Sequence, residues 1–475
     1  MLNNHISTLI RNKFPFQATQ SQSTLIDGLG DFLVQEASPA VCLIKGFAGT
    51  GKTSLMKAFT DVLAEMKMPC QLMAPTGRAA KVLSKYTGKP AYTIHKLIYR
   101  RQSSNDDFGS FNLNYNKAKD AVFIVDEASM ISNNCLDYTA FGSGRLLEDL
   151  LNFVFSNKGC RLVLIGDVAQ LPPVGFEESP ALDKLYLESL GMQVQDFFLS
   201  DVVRQEQDSG ILYNATKLRL MMDEYLTPPV YPALEAKSYP DFKRISGEEL
   251  IDALSWCQEH YGLDETLVVC RSNKRANLFN KGIRASVLYR EEELTVTDHL
   301  LIMKNNYHWL KDSKEADFIA NGDIAEVVRI NGYEELYDRR FANLTLRLTD
   351  YEHLEIDVKV ILDALHTDTA GFSKEEQEAF FRSVMEDYEE EKSQRKKYEK
   401  VKENPYYNAL QVKYAYAMTC HKSQGGQWKA VFIDQGYIPE EQMGLGYFRW
   451  LYTAITRATE RVYLVNFKDE FFEED

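Results

Sequence analysis

The chain has 475 residues, of which 45% are hydrophobic and 26% charged, and its formal net charge is −15. This length leaves room for two to four domains, and the composition is ordinary for a globular protein. No run of 18 apolar residues occurs and the N-terminus lacks a signal-peptide layout, so neither a membrane span nor secretion is expected. Seven scattered cysteines without a C-x-x-C pair favour the reducing cytoplasm and argue against a metal site. The acidic charge argues against a uniformly basic nucleic-acid surface, but it is compatible with a local basic groove.

Short apolar runs alternate with amphipathic stretches along the chain, which predicts α/β architecture with parallel sheets. The first four runs form one series and the last three form a second. The second series is interrupted after its first strand, where glycine-punctuated alternating strands at 322–362 predict a small β unit. The predicted buried strands lie at 41–45, 70–74, 121–125, 161–166, 265–270, 430–434 and 461–465.

Two further segments interrupt this pattern. Residues 100–118 are polar and rich in Asn, which suits either a protruding hairpin or an ordinary surface loop. Ser373 and Glu376 form a capping-box pattern that opens a long charged helix ending at Pro405. We interpret it as a solvated helix docked by one apolar face, in preference to a partner-binding helix; that face carries Phe380, Phe381, Val384, Met385 and Tyr388.

Residues 46–53 read GFAGTGKT, between a predicted strand and a predicted helix. Glycines let the backbone N–H groups curl around an anion, and the helix N-terminus adds positive potential. Lys52 supplies a point charge for the β- and γ-phosphates, and the Thr53 hydroxyl suits Mg²⁺. The alternative is a glycine-rich turn without a ligand. The predicted phosphate-binding residues are Gly46, Phe47, Ala48, Gly49, Thr50, Gly51, Lys52, Thr53 and Ser54.

The segment FIVDEASM (123–130) places two carboxylates at the end of a predicted strand, where ligands bind in open α/β sheets. Asp126 would hold Mg²⁺ and Glu127 would position or deprotonate the attacking water. A carboxylate pair that only confers solubility is the alternative.

Three more polar side chains are candidates for the same reaction. Gln170, in the turn after the strand at 162–166, would sense the γ-phosphate, and Asp167 would couple that sensing to a neighbouring site. Arg204 and Arg457 each lie in apolar sequence, where an arginine usually has a buried anionic partner. They would clamp the transferring phosphate across a domain interface, or else each forms a structural ion pair.

In this order, the motifs resemble those of superfamily 1 DNA helicases, in the branch that includes RecD and the phage Dda helicase. The most specific are GDVAQLPPV (166–174), AYAMTCHKSQGGQW (415–428) and YTAITRA (452–458). The resemblance implies two RecA-like parallel-sheet motor domains with ATP between them, a small inserted SH3-like β unit with a long helix, and a hairpin insertion. The implied bounds are 1–95 with 119–200 for the first motor domain, 96–118 for the hairpin, 201–284 with 413–475 for the second motor domain, and 285–412 for the insert.

The resemblance also implies residue roles. Gln22 would contact adenine, with Gln17 and Gln20 as nearby alternatives, and Gln424 and Gly425 would face the nucleotide. Arg204 and Arg457 match the two γ-phosphate arginines of the family. A strand-separating pin would lie at 100–118, with Phe108 and then Phe111 as candidates for its tip. The implied single-stranded DNA contacts are Pro75, Thr76, Thr93, His95, Phe108, Asn273, Thr419, His421 and Lys422.

The function implied is that of a monomeric, cytoplasmic ATP- and Mg²⁺-dependent DNA helicase that moves 5′-to-3′ on single-stranded DNA and opens forks in DNA repair or recombination. Three alternatives remain open from the residues alone: an RNA helicase of the same superfamily, a P-loop kinase, and an ATP-driven switch that does not act on nucleic acid.

Overall fold

A computed structural model describes residues 2–35, 39–101, 111–134, 142–201, 209–224, 228–311, 318–349, 351, 354–369 and 371–473. Within these ranges the chain forms two parallel sheets and one closed barrel. None of the described helices is long and apolar enough to cross a membrane.

The first sheet has six parallel strands in the order β3-β2-β6-β7-β1-β8, and β4 pairs with β5 as a separate antiparallel hairpin. The elements, in chain order, are α1 (Leu2–Lys13), α2 (Gln20–Val34), β1 (Ala40–Gly46), α3 (Lys52–Glu65), β2 (Cys70–Ala74), α4 (Gly77–Thr87), β3 (Ala91–Thr93), α5 (Ile94–Ile98), β4 (Tyr99–Arg101), β5 (Phe111–Leu113), β6 (Val122–Val125), α6 (Leu146–Phe155), β7 (Arg161–Gly166), α7 (Lys184–Ser189) and β8 (Gln193–Leu199).

The second sheet has five strands in the order β16-β10-β17-β18-β9, and the barrel closes through β11 to β15. Its elements and those of the barrel are α8 (Gly210–Met222), β9 (Phe242–Ile245), α9 (Leu250–Tyr261), β10 (Thr266–Cys270), α10 (Asn273–Ser286), β11 (His299–Ile302), β12 (Ile324–Leu336), β13 (Arg339–Leu348), β14 (Glu355–Ile361), α11 (Lys374–Glu386), α12 (Gln394–Glu403), β15 (Leu410–Tyr414), β16 (Ala417–Thr419), α13 (Cys420–Ser423), β17 (Trp428–Asp434), α14 (Leu445–Ile455) and β18 (Ala458–Val465).

Burial on both faces explains why the central strands are apolar throughout. In β1, Val41 and Leu43 pack into one hydrophobic cluster, while Cys42 and Ile44 pack into another on the opposite face. Alternate side chains of a strand point to opposite faces, so a strand covered on both sides is apolar except near its ends, as at Lys45 of β1. All seven strands predicted from apolar runs are present, and the fold class is confirmed.

The predicted long helix is wrong in one respect, because it is two helices, α11 and α12. The capping box at Ser373 and Glu376 is present, and the predicted apolar face is docked. The chain turns back between them, and Ser393 caps α12 by accepting a hydrogen bond from Lys396 N. The cause lies in the acidic run 386–391, since clustered negative charge at a helix C-terminus opposes the helix dipole. The turn also lets α12 place Val401 in the same cluster, where it is fully buried.

The hairpin stem is present, and it corrects one part of the pin prediction. Phe111 is only 3% exposed, so it is not at a tip. Its ring centroid lies 4.6 Å from that of Tyr307 and 6.4 Å from that of Phe318, two residues of the segment that connects β11 to β12 of the barrel. The stem is therefore braced against the barrel insert. Phe108 lies outside the described residues.

Candidate functional site

The segment 46–53 connects β1 to α3 with the backbone of an anion-binding loop. Gly49 and Gly51 have φ of 78° and 79°, a left-handed conformation that favours glycine. A Cβ on Gly46 would lie 2.9 Å from the Thr50 hydroxyl, so the close packing of the loop also requires glycine there. Lys52 Nζ donates to the carbonyls of Gly46 (3.0 Å) and Phe47 (2.7 Å). The lysine thus lies over the loop that is predicted to hold phosphate.

Gln22, in α2, supports this loop through a side-chain hydrogen bond. Its side chain is buried, with Oε1 accepting from Thr19 N (3.0 Å) and Nε2 donating to the Thr50 carbonyl (2.9 Å). Both ends of the amide are therefore occupied, by the cap of α2 and by the phosphate loop. The structure shows Gln22 bracing the loop, and the contact with adenine that the resemblance implies stays a prediction. Gln17 and Gln20, the nearby alternatives, are both exposed.

The two carboxylates at the end of β6 differ in environment. Burial and the neighbouring Glu127 charge raise the pKa of Asp126 to about 6, although Lys52 opposes the shift. Asp126 Oδ1 accepts from Glu127 N (2.9 Å), and Glu127 has a φ of 54°. A non-glycine residue in this left-handed region is uncommon and is often found at functional sites. Glu127 is thus turned out of the strand direction at the edge that faces the second sheet.

Arg457 and Glu127 meet across the interface between the two sheets. Arg457 follows α14 and is 3% exposed, and its Nη1 lies 3.9 Å from Glu127 Oε1. The carbonyls of Thr453 (3.1 Å, from Nε) and Gly426 (3.2 Å, from Nη1) hold the guanidinium in place. The pairing joins one sequence-predicted residue from each half of the chain. Arg204 lies outside the described residues.

Gln170 faces a cavity of about 420 Å³ between the two halves of the molecule. It is 7% exposed, and its Oε1 has no hydrogen-bond partner in the described part of the chain. Phe47 of the phosphate loop and Asp167 line the same cavity. An orphaned buried amide oxygen beside the loop is compatible with the predicted sensor role, since buried polar atoms normally have a partner.

Gln424 and Gly425 contact the first half of the chain rather than the phosphate loop. Gln424 Nε2 donates to the Leu171 carbonyl (2.7 Å). A Cβ on Gly425 would lie 2.9 Å from Ala79 Cβ and 3.0 Å from the Thr76 hydroxyl, so this loop packs closely on α4. These contacts link the segment after α13 to the turn at 167–171 and to the neighbourhood of Thr76.

Most of the predicted single-stranded DNA contacts lie at the carboxyl edges of the two sheets. Pro75 and Thr76 follow β2, and Thr93 ends the adjacent β3, with Ala74 opposite Thr93 in the register. Similarly, Thr419 ends β16 opposite Cys270 at the end of β10. Asn273 begins α10 just after β10, and His421 and Lys422 lie in α13. Each sheet therefore presents an equivalent pair of strand ends, as expected for ligands of parallel sheets.

Two of these candidates also cap helices, and a third, His95, is buried. The Thr76 hydroxyl accepts from Ala79 N (3.2 Å) and the Thr93 hydroxyl from Lys96 N (3.1 Å), so each caps a helix. Burial lowers the pKa of His95 to about 4, so any contact to DNA would be made by a neutral ring.

Lys422, in α13, contacts the barrel insert. Burial lowers its pKa to about 8, and its Nζ donates to Asn321 Oδ1. The lysine is therefore still mostly charged at neutral pH and loses its charge as the pH rises through about 8, and it links a predicted DNA contact to the insert.

Sequence reasoning missed the polar residues of α14 that cross the interface. Tyr452 OH accepts from Ala48 N (2.8 Å) and donates to Asp167 Oδ2 (2.7 Å). Thr453 Oγ1 accepts from Leu171 N (2.9 Å). The available signal was a pair of polar residues within the apolar helix LGYFRWLYTAI, but nothing local indicates their partners.

Comparisons with known proteins agree with this arrangement. A family model described as an AAA domain matches residues 33–220, and one described as a UvrD-like helicase C-terminal domain matches residues 414–465. The chain is 29% identical over 200 residues to the ATP-dependent RecD2 DNA helicase of Deinococcus radiodurans, covering 42% of this chain and 23% of that protein. It is 33% identical over 141 residues to the ATP-dependent DNA helicase dda of Enterobacteria phage T4, covering 29% of each.

A solved Pif1 helicase from Bacteroides, in complex with ADP-AlF3 and ssDNA, has a TM-score of 0.47 at 14% identity, and the match covers 97% of this chain and 95% of that one. The aligned region spans 23% of the RecD2 protein and 29% of dda, about a quarter of the length of these curated relatives. With the ordered motifs, the family models and the curated relatives, which include an ATP-dependent DNA helicase Pif1 of Psychrobacter sp. (29% identical over 183 residues), support a superfamily 1 helicase of the Pif1/Dda type.

Proposed function

We propose that this protein is an ATP-dependent DNA helicase that hydrolyses ATP between its two parallel-sheet units and moves along single-stranded DNA. The observation that carries the proposal is the approach of Arg457 to Glu127, at 3.9 Å, across the interface. A carboxylate that orients water and an arginine that neutralises developing phosphate charge are the parts that phosphoryl transfer needs. Here they come from different units, so ATP turnover depends on how the units meet.

The residues in the first unit fit a Mg²⁺-bound nucleotide. The Thr53 hydroxyl makes no hydrogen bond to any described residue, and the Asp126 carboxylate accepts only from Glu127 N among them. These are hard oxygen donors of the kind that Mg²⁺ prefers. When bound, Mg²⁺ would neutralise phosphate charge. Lys52 would do so from the loop, and Gln170 would sense the γ-phosphate.

The same proposal covers domain organisation and stepping. The first motor domain would comprise 1–95 and 119–200, with a hairpin at 96–118. The second would comprise 201–284 and 413–475, with the insert at 285–412. Opening and closing of the cleft would make the carboxyl edges of the two sheets bind the DNA strand in turn.

We also propose 5′-to-3′ movement, a monomeric state and a cytoplasmic location. The six described cysteines are unpaired, in keeping with a reducing compartment.

Two assays test the proposal. ATP hydrolysis with Mg²⁺ should rise when single-stranded DNA is added, and less with RNA of the same sequence. A P-loop kinase or a switch without a nucleic-acid track would show no rise, and an RNA helicase would prefer RNA. Duplexes with a 5′ tail should be unwound and those with only a 3′ tail should not. Preference for the 3′ tail would reverse the proposed polarity.

A further inference from the structure

Helix α14 packs beside the second sheet, yet two of its polar side chains form hydrogen bonds to residues of the first unit. Eight of its eleven residues are buried, and the helix is mostly apolar. Tyr452 is 1% exposed and Thr453 fully buried. Their polar atoms point at two segments of the first unit: the phosphate loop and the turn at 167–171.

The Tyr452 hydroxyl uses both of its hydrogen-bonding directions at this interface. It accepts from Ala48 N (2.8 Å) in the phosphate loop and donates to Asp167 Oδ2 (2.7 Å). Burial raises the pKa of Tyr452 well above its usual value, so the hydroxyl remains a donor at any working pH. Asp167 is 2% exposed; its other oxygen accepts from Ala169 N (3.0 Å), and it forms no ion pair with any described residue. A buried carboxylate is costly unless its hydrogen bonds are kept, so Asp167 depends on Tyr452.

The other end of the turn at 167–171 is also held by residues of the second unit. Leu171 N donates to Thr453 Oγ1 (2.9 Å), and the Leu171 carbonyl accepts from Gln424 Nε2 (2.7 Å). Gln424 comes immediately after α13, which carries two of the predicted DNA contacts. Bonded contacts therefore run from the phosphate loop, through Tyr452 and the turn at 167–171, to the DNA-facing segment.

The same helix also places the arginine that approaches Glu127. Arg457 Nε donates to the Thr453 carbonyl (3.1 Å), and Nη2 to the Thr456 hydroxyl (3.3 Å). A shift of the phosphate loop that moves Ala48 N would act on Tyr452 and hence on the helix that orients Arg457.

We propose that Tyr452 is a positioning residue that couples the nucleotide state of the phosphate loop to the DNA-facing segment of the second unit, through its hydrogen bonds to Ala48 N and Asp167. This inference rests on the proposed function. The hydroxyl touches neither phosphate nor DNA in this scheme. It keeps the phosphate loop, the turn at 167–171 and α14 in one hydrogen-bonded unit, so that DNA binding at one edge changes the geometry at the other.

Tyr452→Phe tests this, because it keeps the ring and removes only the hydroxyl. The matched control is Tyr447→Phe in the same helix. Tyr447 is 2% exposed, and its hydroxyl bonds to Gln435 Oε1 (2.6 Å) within the second unit. We expect Tyr452→Phe to lower kcat in saturating single-stranded DNA roughly tenfold or more, with the KM for ATP and the Kd for DNA changed less than about twofold. The stimulation ratio, kcat with DNA over kcat without, should fall in Tyr452→Phe and remain in Tyr447→Phe.

Several outcomes would overturn the inference. These are an unchanged stimulation ratio in Tyr452→Phe, an equal loss with and without DNA, or the same loss in Tyr447→Phe. If Tyr452→Phe does not fold, Thr453→Val decides: it removes the acceptor for Leu171 N at constant volume, and an unchanged ratio there refutes the coupling. If wild-type protein shows no DNA stimulation at all, the proposed function fails, which is distinct from failure of the coupling alone.

Discussion

Replacing Phe111 with alanine should uncouple strand separation from ATP hydrolysis. Phe111 is 3% exposed, pairs with Arg101 in the hairpin stem and packs on Tyr307 and Phe318. Truncating a buried phenylalanine costs about 3–5 kcal/mol. If about 3 kcal/mol of this falls on docking of the hairpin against the barrel insert, the docking equilibrium shifts by roughly a hundredfold, at about 1.4 kcal/mol per tenfold. A hairpin that is no longer held cannot act as a fixed wedge at a fork.

The assay is duplex unwinding on a 5′-tailed substrate, normalised to DNA-stimulated ATP hydrolysis. Phe153→Ala is the matched control. Phe153 is 4% exposed and packs edge-on against Phe123 of β6, in the first sheet, with ring centroids 6.0 Å apart. Both variants should have a lower midpoint of thermal unfolding, but only Phe111→Ala should open fewer base pairs per ATP hydrolysed. Tyr307→Ala should resemble it, without additivity in the double variant. Equal unwinding per ATP in Phe111→Ala and Phe153→Ala would refute the bracing role.

Four further outcomes are expected. Lys52→Ala should abolish ATP hydrolysis while a DNA-binding titration stays near wild type, and near-normal hydrolysis would contradict the phosphate-loop assignment. Glu127→Gln should bind ATP with Mg²⁺ but turn over roughly a hundredfold more slowly if Glu127 is the general base; unchanged turnover moves that role elsewhere. Arg457→Ala should lower kcat by roughly a hundredfold or more with little change in ATP affinity, since the arginine acts on charge that develops in the transition state; an equal loss in both indicates ground-state binding. Lys422 is charged below its pKa of about 8 and loses that charge as the pH rises through this value. Affinity for single-stranded DNA should therefore fall between pH 7 and 9, and Lys422→Arg should flatten this pH profile because arginine stays charged. A flat profile in the wild-type protein would remove Lys422 from the DNA interface.

The strands that the sequence predicted are those in which most residues are buried. The apolar runs at 41–45 and 161–166 became β1 and β7, which pair with each other in the middle of the first sheet. The edge strand β8 was not predicted, because Gln193–Leu199 is only partly buried and four residues that include three polar ones precede its short apolar end. A continuous apolar run indicates a strand that is buried on both faces, and a partly exposed edge strand does not have such a run.

Short-range chemistry was also readable from the sequence. The capping box at Ser373 and Glu376 and the positive φ of Gly49 and Gly51 depend on neighbours within a few residues. The single long helix was wrong because helical periodicity continues through the acidic run at 386–391. Only the packing of α12 onto α11 shows that the chain turns there.

The sequence by itself determined the family, the two α/β series, and the residue types that meet phosphate, because these follow from local pattern and motif order. Only the tertiary structure decided which side chains meet. Ala48 and Tyr452 are 404 positions apart, and no periodicity encodes their hydrogen bond. The same holds for Arg457 beside Glu127 and for Phe111 against the insert. Gln22 is nearer its partners, but the two bonds of its amide depend on how α2 packs beneath the phosphate loop. Such contacts arise when separately folded surfaces pack together, and their energies depend on distances of a few ångströms that sequence spacing does not specify.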